Sequence, residues 1–397
     1  MKIGIVAPIE AKSYLDYFQT ESDRNILCNY CFDYTVPAVT TLTRSLLKKG
    51  HTVLIFTTSI RAFELKTKNL EIYSVKAART PLKYVIDGFS LYREISRHIA
   101  NVDILHAHWT YEFAMGASFF SKKKPVLCTV RDWAPYIWTV ISIREKIYWA
   151  SKVLINKYIQ SKKRITFIGN SEYTQNLLKD KLKRSVDYVP NPISNAFILE
   201  TERSNVNKNV VVLCISSSSI SDRRKNVPNL LKAFQLFKRH NNGAKLLLVG
   251  NFSENDPAVK PYRESGLLED VEIRGKVAHD RLKDVIDEAS FMVAPSLEET
   301  FGNTLIESMA RKLPVIGGQN SGAVPYVLSK GKAGYLCDVK SPQSICEAMT
   351  MLINDKKSTN EKVQYAYKKV LTLYSEESVC NKHLEIYNNL VHLNLDK

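Results

Sequence analysis

The chain has 397 residues and a formal net charge of +16, from 56 lysine and arginine against 40 aspartate and glutamate side chains. This length exceeds the size at which a single hydrophobic core stops growing, so we expect two domains. The longest apolar run, near residues 137–143, is too short for a bilayer-spanning helix, which needs about 20 residues. Seven scattered cysteines argue against a disulfide framework and favour a reducing, cytoplasmic compartment.

The excess positive charge is uneven along the chain. Residues 1–200 carry 29 basic and 17 acidic side chains, whereas residues 201–397 carry 27 and 23. A basic first half favours an anionic partner, such as a phospholipid surface, a lipid pyrophosphate or nucleic acid. Nucleic acid is disfavoured among these, because the sequence offers no recognised nucleic-acid-binding module.

Short β-branched runs alternate with longer helical patterns from the first residues onward. This alternation predicts an α/β class, with parallel sheets covered by helices on both faces. The predicted strands of the first half are 3–7, 52–57, 70–75, 103–107, 126–130, 165–168 and 186–189. The chain becomes polar around 191–209 before the strands resume. We therefore predict domains at residues 1–200 and 201–375, followed by an amphipathic helix at 376–397.

Two histidines, His106 and His108, lie at the end of the strand predicted at 103–107, and Trp109 follows them. Alternate residues of a strand share a face, so the pair raises the possibility of a metal site, but a third ligand is missing nearby. We predict that one histidine packs against the strand end and that the other lines a cleft. Cys28 and Cys31 lack a second cysteine pair, which favours two free thiols.

Residues 120–165 hold eleven lysine or arginine side chains and only two acidic ones, interleaved with aromatic residues. The interleaved aromatic residues are Trp133, Tyr136, Trp138, Tyr148 and Trp149. Cationic and aromatic side chains mixed on a helix are typical of a membrane-surface element. A core helix with a solvated basic edge explains the pattern equally well.

In the second half, the predicted strands are 210–215, 245–249, 271–274, 291–294, 315–316 and 334–337. Arg223, Arg224 and Lys225 follow the first of these strands and a serine-rich loop at 216–219. This position is the carboxyl end of a parallel strand, where doubly wound sheets bind ligands. A binding role is therefore favoured over an ordinary solvated charge run.

A strand, loop and helix unit at residues 290–310 carries the other candidate groups. The helix is predicted to begin near Gly302, and the unpaired N–H groups at its start favour an anion such as phosphate. Glu299 lies in the loop before this helix and Glu307 lies about one turn into it. Carboxylates repel phosphate but accept hydrogen bonds from hydroxyl groups. The implied ligand carries both phosphate and several hydroxyls.

These residues resemble a known family. The pattern Pro-Ser-x-x-Glu-Thr-Phe-Gly, followed by Glu-Ser-Met-Ala and Pro-Val-Ile, is similar to the nucleotide-sugar motif of retaining glycosyltransferases of the family 4 (group 1) type. The resemblance implies the GT-B fold, in which two Rossmann-like domains with doubly wound parallel sheets face a central cleft. It also implies that the first domain binds the acceptor, that the second binds the donor, and that the last helix crosses back to the first domain.

The resemblance assigns roles to individual residues. Lys225 is expected at the donor diphosphate, Glu307 at the ribose hydroxyls and Glu299 at the sugar hydroxyls. The arginine that usually accompanies the lysine falls at Ile220 in this chain, so Arg223 or Arg224 is expected to replace it. The predicted catalytic residues are Glu299, Lys225, Arg224 and Arg131. The predicted donor-binding residues are Arg223, Phe301, Gly302, Asn303, Thr304, Glu307, Ser216 and His279. The predicted acceptor-side residues are His106, His108, Trp109 and Asp132.

Arg131 departs from the family pattern, which commonly has a histidine that reaches the donor sugar at this place. The arginine either supplies a cation to the leaving phosphate or to an acidic acceptor, or is a plain surface residue.

The predicted function is a retaining transfer of sugar from a UDP- or GDP-linked donor to a saccharide or lipid-linked acceptor, in cell-surface polysaccharide or glycolipid biosynthesis. The resemblance implies no cofactor and no obligatory metal, in keeping with the absence of an Asp-x-Asp pair. The expected location is the cytoplasm, and peripheral attachment to the inner face of the cell membrane is a further possibility. Two alternatives stay open: a nucleotide-sugar 2-epimerase of the same fold, and a non-catalytic protein that binds anionic polymers.

Overall fold

The computed structural model describes residues 1–132, 137–139, 141, 143–203 and 209–395. The chain divides into two compact units, of which unit 1 comprises Met1–Pro192 with Glu376–Lys397 and unit 2 comprises Ile193–Ser375. The boundary expected after residue 200 thus moves to Pro192. The physical reason is burial, because Ile193 and Phe197 lie in the same hydrophobic core as Leu213 of unit 2.

Unit 1 contains an eight-stranded sheet with the strand order β3-β4-β2-β1-β5-β6-β7-β8. Its strands are β1 Lys2–Val6, β2 Thr52–Ser59, β3 Phe63–Lys66, β4 Leu70–Lys76, β5 Ile104–His108, β6 Val126–Val130, β7 Ile165–Gly169 and β8 Asp187–Tyr188. Its helices, numbered in chain order, are α1 Glu21–Tyr30, α2 Pro37–Lys48, α3 Lys83–His98, α4 Glu112–Ser118, α5 Ile143–Gln160, α6 Glu172–Leu182 and α14 Glu376–Leu395.

The strands of unit 1 are buried on both faces of the sheet. Along β2, Val53 and Ile55 belong to one hydrophobic core, whereas Leu54 and Phe56 belong to the other. This alternation follows from the period of two residues in a strand and confirms the prediction of a sheet covered on both sides. The last helix, α14, buries Tyr387 in the first of these cores, and it therefore belongs to unit 1.

One strand departs from the predicted parallel pattern. The edge strand β3 pairs antiparallel with β4, with Leu65 opposite Ile72. Only four residues long, β3 is too short for its alternation to be recognised in the sequence.

Unit 2 contains a six-stranded parallel sheet with the order β11-β10-β9-β12-β13-β14. Its strands are β9 Val211–Ser216, β10 Lys245–Gly250, β11 Val271–Gly275, β12 Phe291–Ala294, β13 Val315–Gly318 and β14 Tyr335–Cys337. Its helices are α7 Val227–Lys238, α8 Lys260–Glu264, α9 Leu282–Glu288, α10 Asn303–Ala310, α11 Val324–Val327, α12 Pro342–Asn354 and α13 Lys356–Lys369. The strand order reverses between β9 and β12, the place where doubly wound sheets bind ligands.

Helix α5 has both buried and exposed apolar residues. One face packs into the unit 1 core through Ile155 and Ile159, while the opposite face exposes Ile143, Ile147 and Leu154. The segment before α5 includes Trp133 and Tyr136, which lie outside the described residues. No helix in the described part of the chain is long and apolar enough to cross a membrane.

Candidate functional site

A shallow hollow, of about 300 Å³ including its solvent-open part, lies in unit 2 at the carboxyl ends of β9 and β12. It therefore occupies the point at which the strand order of the sheet reverses. Five of the predicted site residues come together here from three separate segments of the chain. The polar and glycine residues of its lining are Ser216, Lys225, Ser296, Glu299, Gly302 and Thr304. Ser296 was not predicted, although it lies within the motif that drew attention to Glu299.

Lys225 is held over the hollow by hydrogen bonds between two loops. The residue after it, Asn226, adopts a left-handed conformation with φ of 53° and starts α7. Its side-chain amide donates to the carbonyl oxygens of Pro295, at 3.0 Å, and Val339, at 2.7 Å. The Leu297 N–H also donates to the Arg224 carbonyl at 2.7 Å. The loop after β9 is therefore fixed to the loop after β12.

Lys225 and Glu299 form an ion pair, with Nζ and Oε1 2.6 Å apart. Both side chains are partly exposed, at 18% and 23%, so both reach the ligand side of the hollow. The Glu299 carbonyl accepts the Ala323 N–H at 2.8 Å, which fixes the backbone that carries the carboxylate. The Lys225 ammonium can therefore bind phosphate, and the adjacent Glu299 carboxylate can accept hydrogen bonds from hydroxyl groups.

The two neighbouring arginines are in different surroundings. Arg224 donates to the Asp222 carboxylate, with Nη2 and Oδ2 2.8 Å apart, whereas the Arg223 side chain is exposed. Burial raises the pKa of Asp222, but hydrogen bonds and charge from Arg224 outweigh it and leave that pKa below its ordinary value. Ile220, at the usual arginine position, is buried in the core of unit 2. An arginine there would be costly to bury, which explains the departure from the family pattern.

Helix α10 begins at the edge of the hollow. Gly302 precedes it with φ of 92°, in the left-handed region, and no side chain caps the helix start. The start of this helix borders the hollow, because Gly302, Thr304 and Leu305 all line it. Phe301 was predicted to bind the donor, but its side chain is buried in the core, edge-on to Tyr374. Asn303, the first residue of α10, is only partly exposed.

Glu307 is buried on α10 and pairs with His279, with Oε1 and Nε2 2.8 Å apart. His279 also packs against the ring of Phe197, with centroids 5.0 Å apart. The two residues were predicted separately, 28 positions apart, and the fold brings them into contact. Both lie outside the lining of the hollow.

In unit 1, Arg131 is a buried residue. Its Nε donates to His108 Nδ1 at 3.1 Å, and its guanidinium also donates to Asn191. Burial lowers its pKa to about 10. The interpretation of Arg131 as a surface residue is therefore wrong. The Val-Pro-Asn-Pro spelling around Asn191 is itself similar to a family motif, but its pairing with Arg131 was not predicted.

Neither histidine of β5 is exposed. His106 lies between the Tyr387 hydroxyl, at 2.6 Å from Nδ1, and the Thr129 hydroxyl, at 2.7 Å from Nε2. His108 is also fully buried. The prediction that one histidine lines a cleft is wrong in this structure, because α14 covers this end of β5 with Tyr387 and His383.

The two other predicted acceptor-side residues lie at the same edge of the sheet. Trp109 has a left-handed backbone with φ of 64°, which is rare for a bulky residue and is often found at functional sites. Its ring faces the Arg131 guanidinium at 5.8 Å. Asp132 is partly exposed and accepts a hydrogen bond from the Tyr111 hydroxyl at 2.7 Å.

Acid should destabilise unit 1 through these buried histidines. Burial lowers the pKa of His383 to about 4 and holds those of His106 and His108 well below their ordinary value. Their contribution to stability is therefore present above the unfolded pKa of about 6.5 and is lost as the pH falls towards 4. For His383 alone the loss reaches about 3 kcal/mol by pH 4.

We expect the free energy of unfolding, measured by denaturant titration between pH 7 and 4.5, to fall on acidification. His383→Leu should lower the proton uptake on unfolding by about one at pH 5. His240→Leu is the matched control, because His240 is exposed and should leave the slope unchanged. A His383→Leu protein with the wild-type pH slope would contradict the assignment.

A second concavity, in unit 1, was not predicted. This groove, of about 910 Å³ including its solvent-open part, lies at the carboxyl ends of β2 and β4. Its lining combines aromatic and cationic side chains with small and apolar ones: Phe32, Tyr34, Ile60, Ala77, Ala78, Arg79, Thr80, Pro81, Lys83 and Tyr84. The segments involved show no motif, and their apolar residues alone gave no signal that they meet.

Both halves of the chain match known families. Residues 200–369 match the model of the glycosyl transferases group 1, and residues 37–197 match that of glycosyltransferase family 4. Among curated relatives, N-acetyl-alpha-D-glucosaminyl L-malate synthase of Bacillus anthracis is 27% identical over 37% of this chain and 38% of its own length. The phosphatidylinositol N-acetylglucosaminyltransferase gpi3 subunit of Schizosaccharomyces pombe is 21% identical over 88% of this chain and 76% of its own length.

Solved structures share the fold over nearly the whole chain. Sucrose-phosphate synthase from Thermosynechococcus elongatus superposes with a TM-score of 0.77 at 16% identity, covering 99% of both chains. The Anabaena protein HepE, solved in complex with UDP-glucose, superposes with a TM-score of 0.70 at 15% identity, covering 98% of this chain and 100% of its own. At these identities the likeness concerns the fold.

Proposed function

Since the chain belongs to the group 1, family 4 glycosyltransferases and has their GT-B fold class, we propose that it transfers a sugar from a nucleoside-diphosphate sugar to a saccharide or lipid-linked acceptor. The observation that carries the proposal is the hollow of unit 2. There Lys225, Glu299 and the start of α10 meet at the strand-order reversal. This arrangement of a cation, a carboxylate and a helix N-terminus is what a diphosphate joined to a sugar requires.

In this proposal the donor binds unit 2. Lys225 and the helix start near Gly302 meet the diphosphate, and Glu299 accepts hydrogen bonds from the sugar hydroxyls. Arg223 and Arg224 are both close enough in sequence to assist. The exposed Arg223 is free to swing towards the phosphate, whereas Arg224 would first have to leave Asp222. The buried Glu307, held by His279, accepts hydrogen bonds from the ribose of a UDP- or GDP-linked donor.

The proposed reaction retains the configuration of the sugar. The bond from the anomeric carbon to the leaving phosphate oxygen breaks, and a bond to the acceptor hydroxyl oxygen forms on the same face. The acceptor proton passes to the leaving phosphate. Lys225 stabilises the charge that gathers on that phosphate. Glu299 is not proposed as a nucleophile, since its carboxylate is paired with Lys225 at 2.6 Å. The phosphate charge is met in this proposal by protein groups, and no metal or cofactor is assigned.

The acceptor side of the proposal lies in unit 1. Arg131 is enclosed with His108 and Asn191, so we propose that it holds the ends of β5 and β6 in place and does not itself touch the sugar. Trp109 and Asp132 remain candidates for acceptor contact. The aromatic and cationic groove suits an acceptor with an apolar and an anionic part. The name of the fission-yeast relative, which includes phosphatidylinositol, supports a lipid-linked acceptor.

Nucleotide sugars test the proposal directly. We expect UDP- or GDP-sugars to raise the melting temperature of the full chain, because a ligand that binds only the folded state stabilises it. Glu307→Ala should raise the concentration needed for half of the shift about tenfold or more, since a charged hydrogen bond contributes about 1.5–3 kcal/mol. The stabilising donor is then incubated with saccharide and lipid acceptors, and the products are analysed for transfer.

The outcomes separate the alternatives. Transfer with retained configuration supports the proposal. Conversion of the donor sugar to its 2-epimer without any acceptor would identify the epimerase instead. If no nucleotide and no nucleotide sugar changes the melting temperature, the donor site is wrong and the non-catalytic alternative gains.

A further inference from the structure

A row of large apolar side chains is exposed on unit 1, beside the groove. Leu82 immediately precedes α3, and Ile86 and Phe89 follow it at helical spacings of four and three residues. Leu82 is 61% exposed and Phe89 is 46% exposed. Single exposed apolar residues are ordinary on protein surfaces, but a contiguous row marks an interaction site.

The row continues onto the neighbouring helix α4 through aromatic contacts. The ring of Phe89 stacks on that of Phe119, with centroids 5.7 Å apart, and Tyr92 lies 4.8 Å from Phe119. Both Phe119 and Tyr92 are themselves exposed. We call the set of Leu82, Ile86, Phe89, Tyr92 and Phe119 the apolar patch.

The charges around the apolar patch are mainly basic. The exposed cations near it in sequence are Arg79, Arg93, Arg97, Lys122 and Lys123. The acidic groups of α3 are neutralised or buried: Asp87 is buried and bonded to Lys83 at 2.8 Å, and Glu94 is bonded to Arg97 at 2.8 Å. An apolar surface accompanied by exposed cations complements a bilayer that carries anionic lipid, because the cations meet the headgroups while the apolar side chains enter below them.

We propose that the apolar patch docks unit 1 on an anionic lipid bilayer. The occupant follows from the charge complementarity, since an apolar protein partner would not call for the exposed cations Arg79, Arg93, Lys122 and Lys123 close to the patch in sequence. The groove begins where the patch begins, because Pro81, Lys83 and Tyr84 line it next to Leu82. Docking therefore brings the groove to the lipid headgroups. The consequence for a lipid-linked acceptor rests on the proposed function, whereas the docking itself does not.

Helix α5 joins the same surface. Lys152 Nζ lies over the rings of Tyr84, at 4.5 Å, and Trp149, at 4.3 Å, and so connects α5 to the start of α3. The exposed Ile147 and Leu154 of α5 are a second candidate for bilayer contact. The sequence predicted a membrane-surface element in the segment that contains α5, whereas the apolar patch along α3 and after α4 is evident only in the structure.

The test is sedimentation of the full chain with vesicles of phosphatidylcholine alone and of phosphatidylcholine with phosphatidylglycerol. We expect binding to the anionic vesicles, with release at high salt, and a loss of at least about tenfold in the variant Leu82→Glu with Phe89→Glu. Met351→Glu is the matched control, because Met351 is 55% exposed on unit 2 and its change should leave binding intact. Circular dichroism verifies that each variant is folded. No nucleotide is added, so failure here is distinct from failure of the proposed function.

Three results would overturn the docking proposal. The first is no binding, or equal binding to neutral and anionic vesicles. The second is wild-type binding by the double variant, with loss only in Leu154→Glu, which would leave α5 as the contact. The third is a wild-type dimer in sedimentation velocity that the double variant dissociates, without any vesicle binding, which would make a second copy of the chain the occupant.

Discussion

Replacing Lys225 by alanine is expected to lower kcat for sugar transfer by about a hundredfold or more, the effect of removing one group that stabilises developing charge in an active site. The effect is expected on kcat because the charge on the phosphate changes during the reaction. Negative charge gathers on the departing phosphate in the transition state, so the ammonium contributes more there than in the bound donor. The loss also leaves Glu299 without its partner at 2.6 Å, beside the phosphate position.

Steady-state kinetics with the donor found by stabilisation would measure this effect. Lys232→Ala is the matched control, because Lys232 is exposed on α7 of the same unit and should leave kcat unchanged. A Lys225→Ala enzyme that keeps the wild-type kcat would show that the phosphate leaves from somewhere else.

Glu299→Ala is expected to lower kcat by roughly a hundredfold, as poor positioning of the reacting sugar does. Binding of free UDP or GDP, measured by calorimetry, should stay close to normal, because Glu299 is proposed to contact the sugar and not the nucleoside diphosphate. Glu264→Ala, at an exposed glutamate of the same unit, serves as the control.

A double-mutant cycle sharpens the second prediction. Since Lys225 and Glu299 are in direct contact, their effects on kcat should not add, and the double variant should be less impaired than the two losses together. Strict additivity would mean that the ion pair does not persist when the donor is bound. Transfer at the wild-type rate by Glu299→Ala would remove this residue from the sugar site.

The residues that line the hollow of unit 2 were predictable to a large extent because they lie at the ends of strands that local sequence already defines. Lys225 follows β9 and Glu299 follows β12, and both strands are apolar runs bounded by polar loops. In a doubly wound sheet the carboxyl ends of such strands meet on one edge. The ion pair between these residues, 74 positions apart, was not predictable, because it depends on which strands are neighbours.

The acceptor side was less predictable, because exposure is decided by elements that are distant in sequence. His106 and His108 end a strand, yet both are buried, and Tyr387 of α14, 281 positions after His106, bonds to His106. Phe301 lies within the motif that carries the family resemblance, yet its ring is buried in the core of unit 2. A surface position was one of the interpretations of Arg131, but the residue is buried and bonded to Asn191 and His108.

The amino-acid sequence by itself determined the main alternation of strands and helices, the two-domain α/β class and the residue types that meet in the hollow of unit 2. These properties depend on short-range periodicity and on strand ends, which a few neighbouring residues specify. The tertiary structure alone decided the strand order, the partners of each charged group, and the surfaces that remain in water. The groove and the apolar patch of unit 1 belong to this second class, because exposure results from what the rest of the chain does not cover.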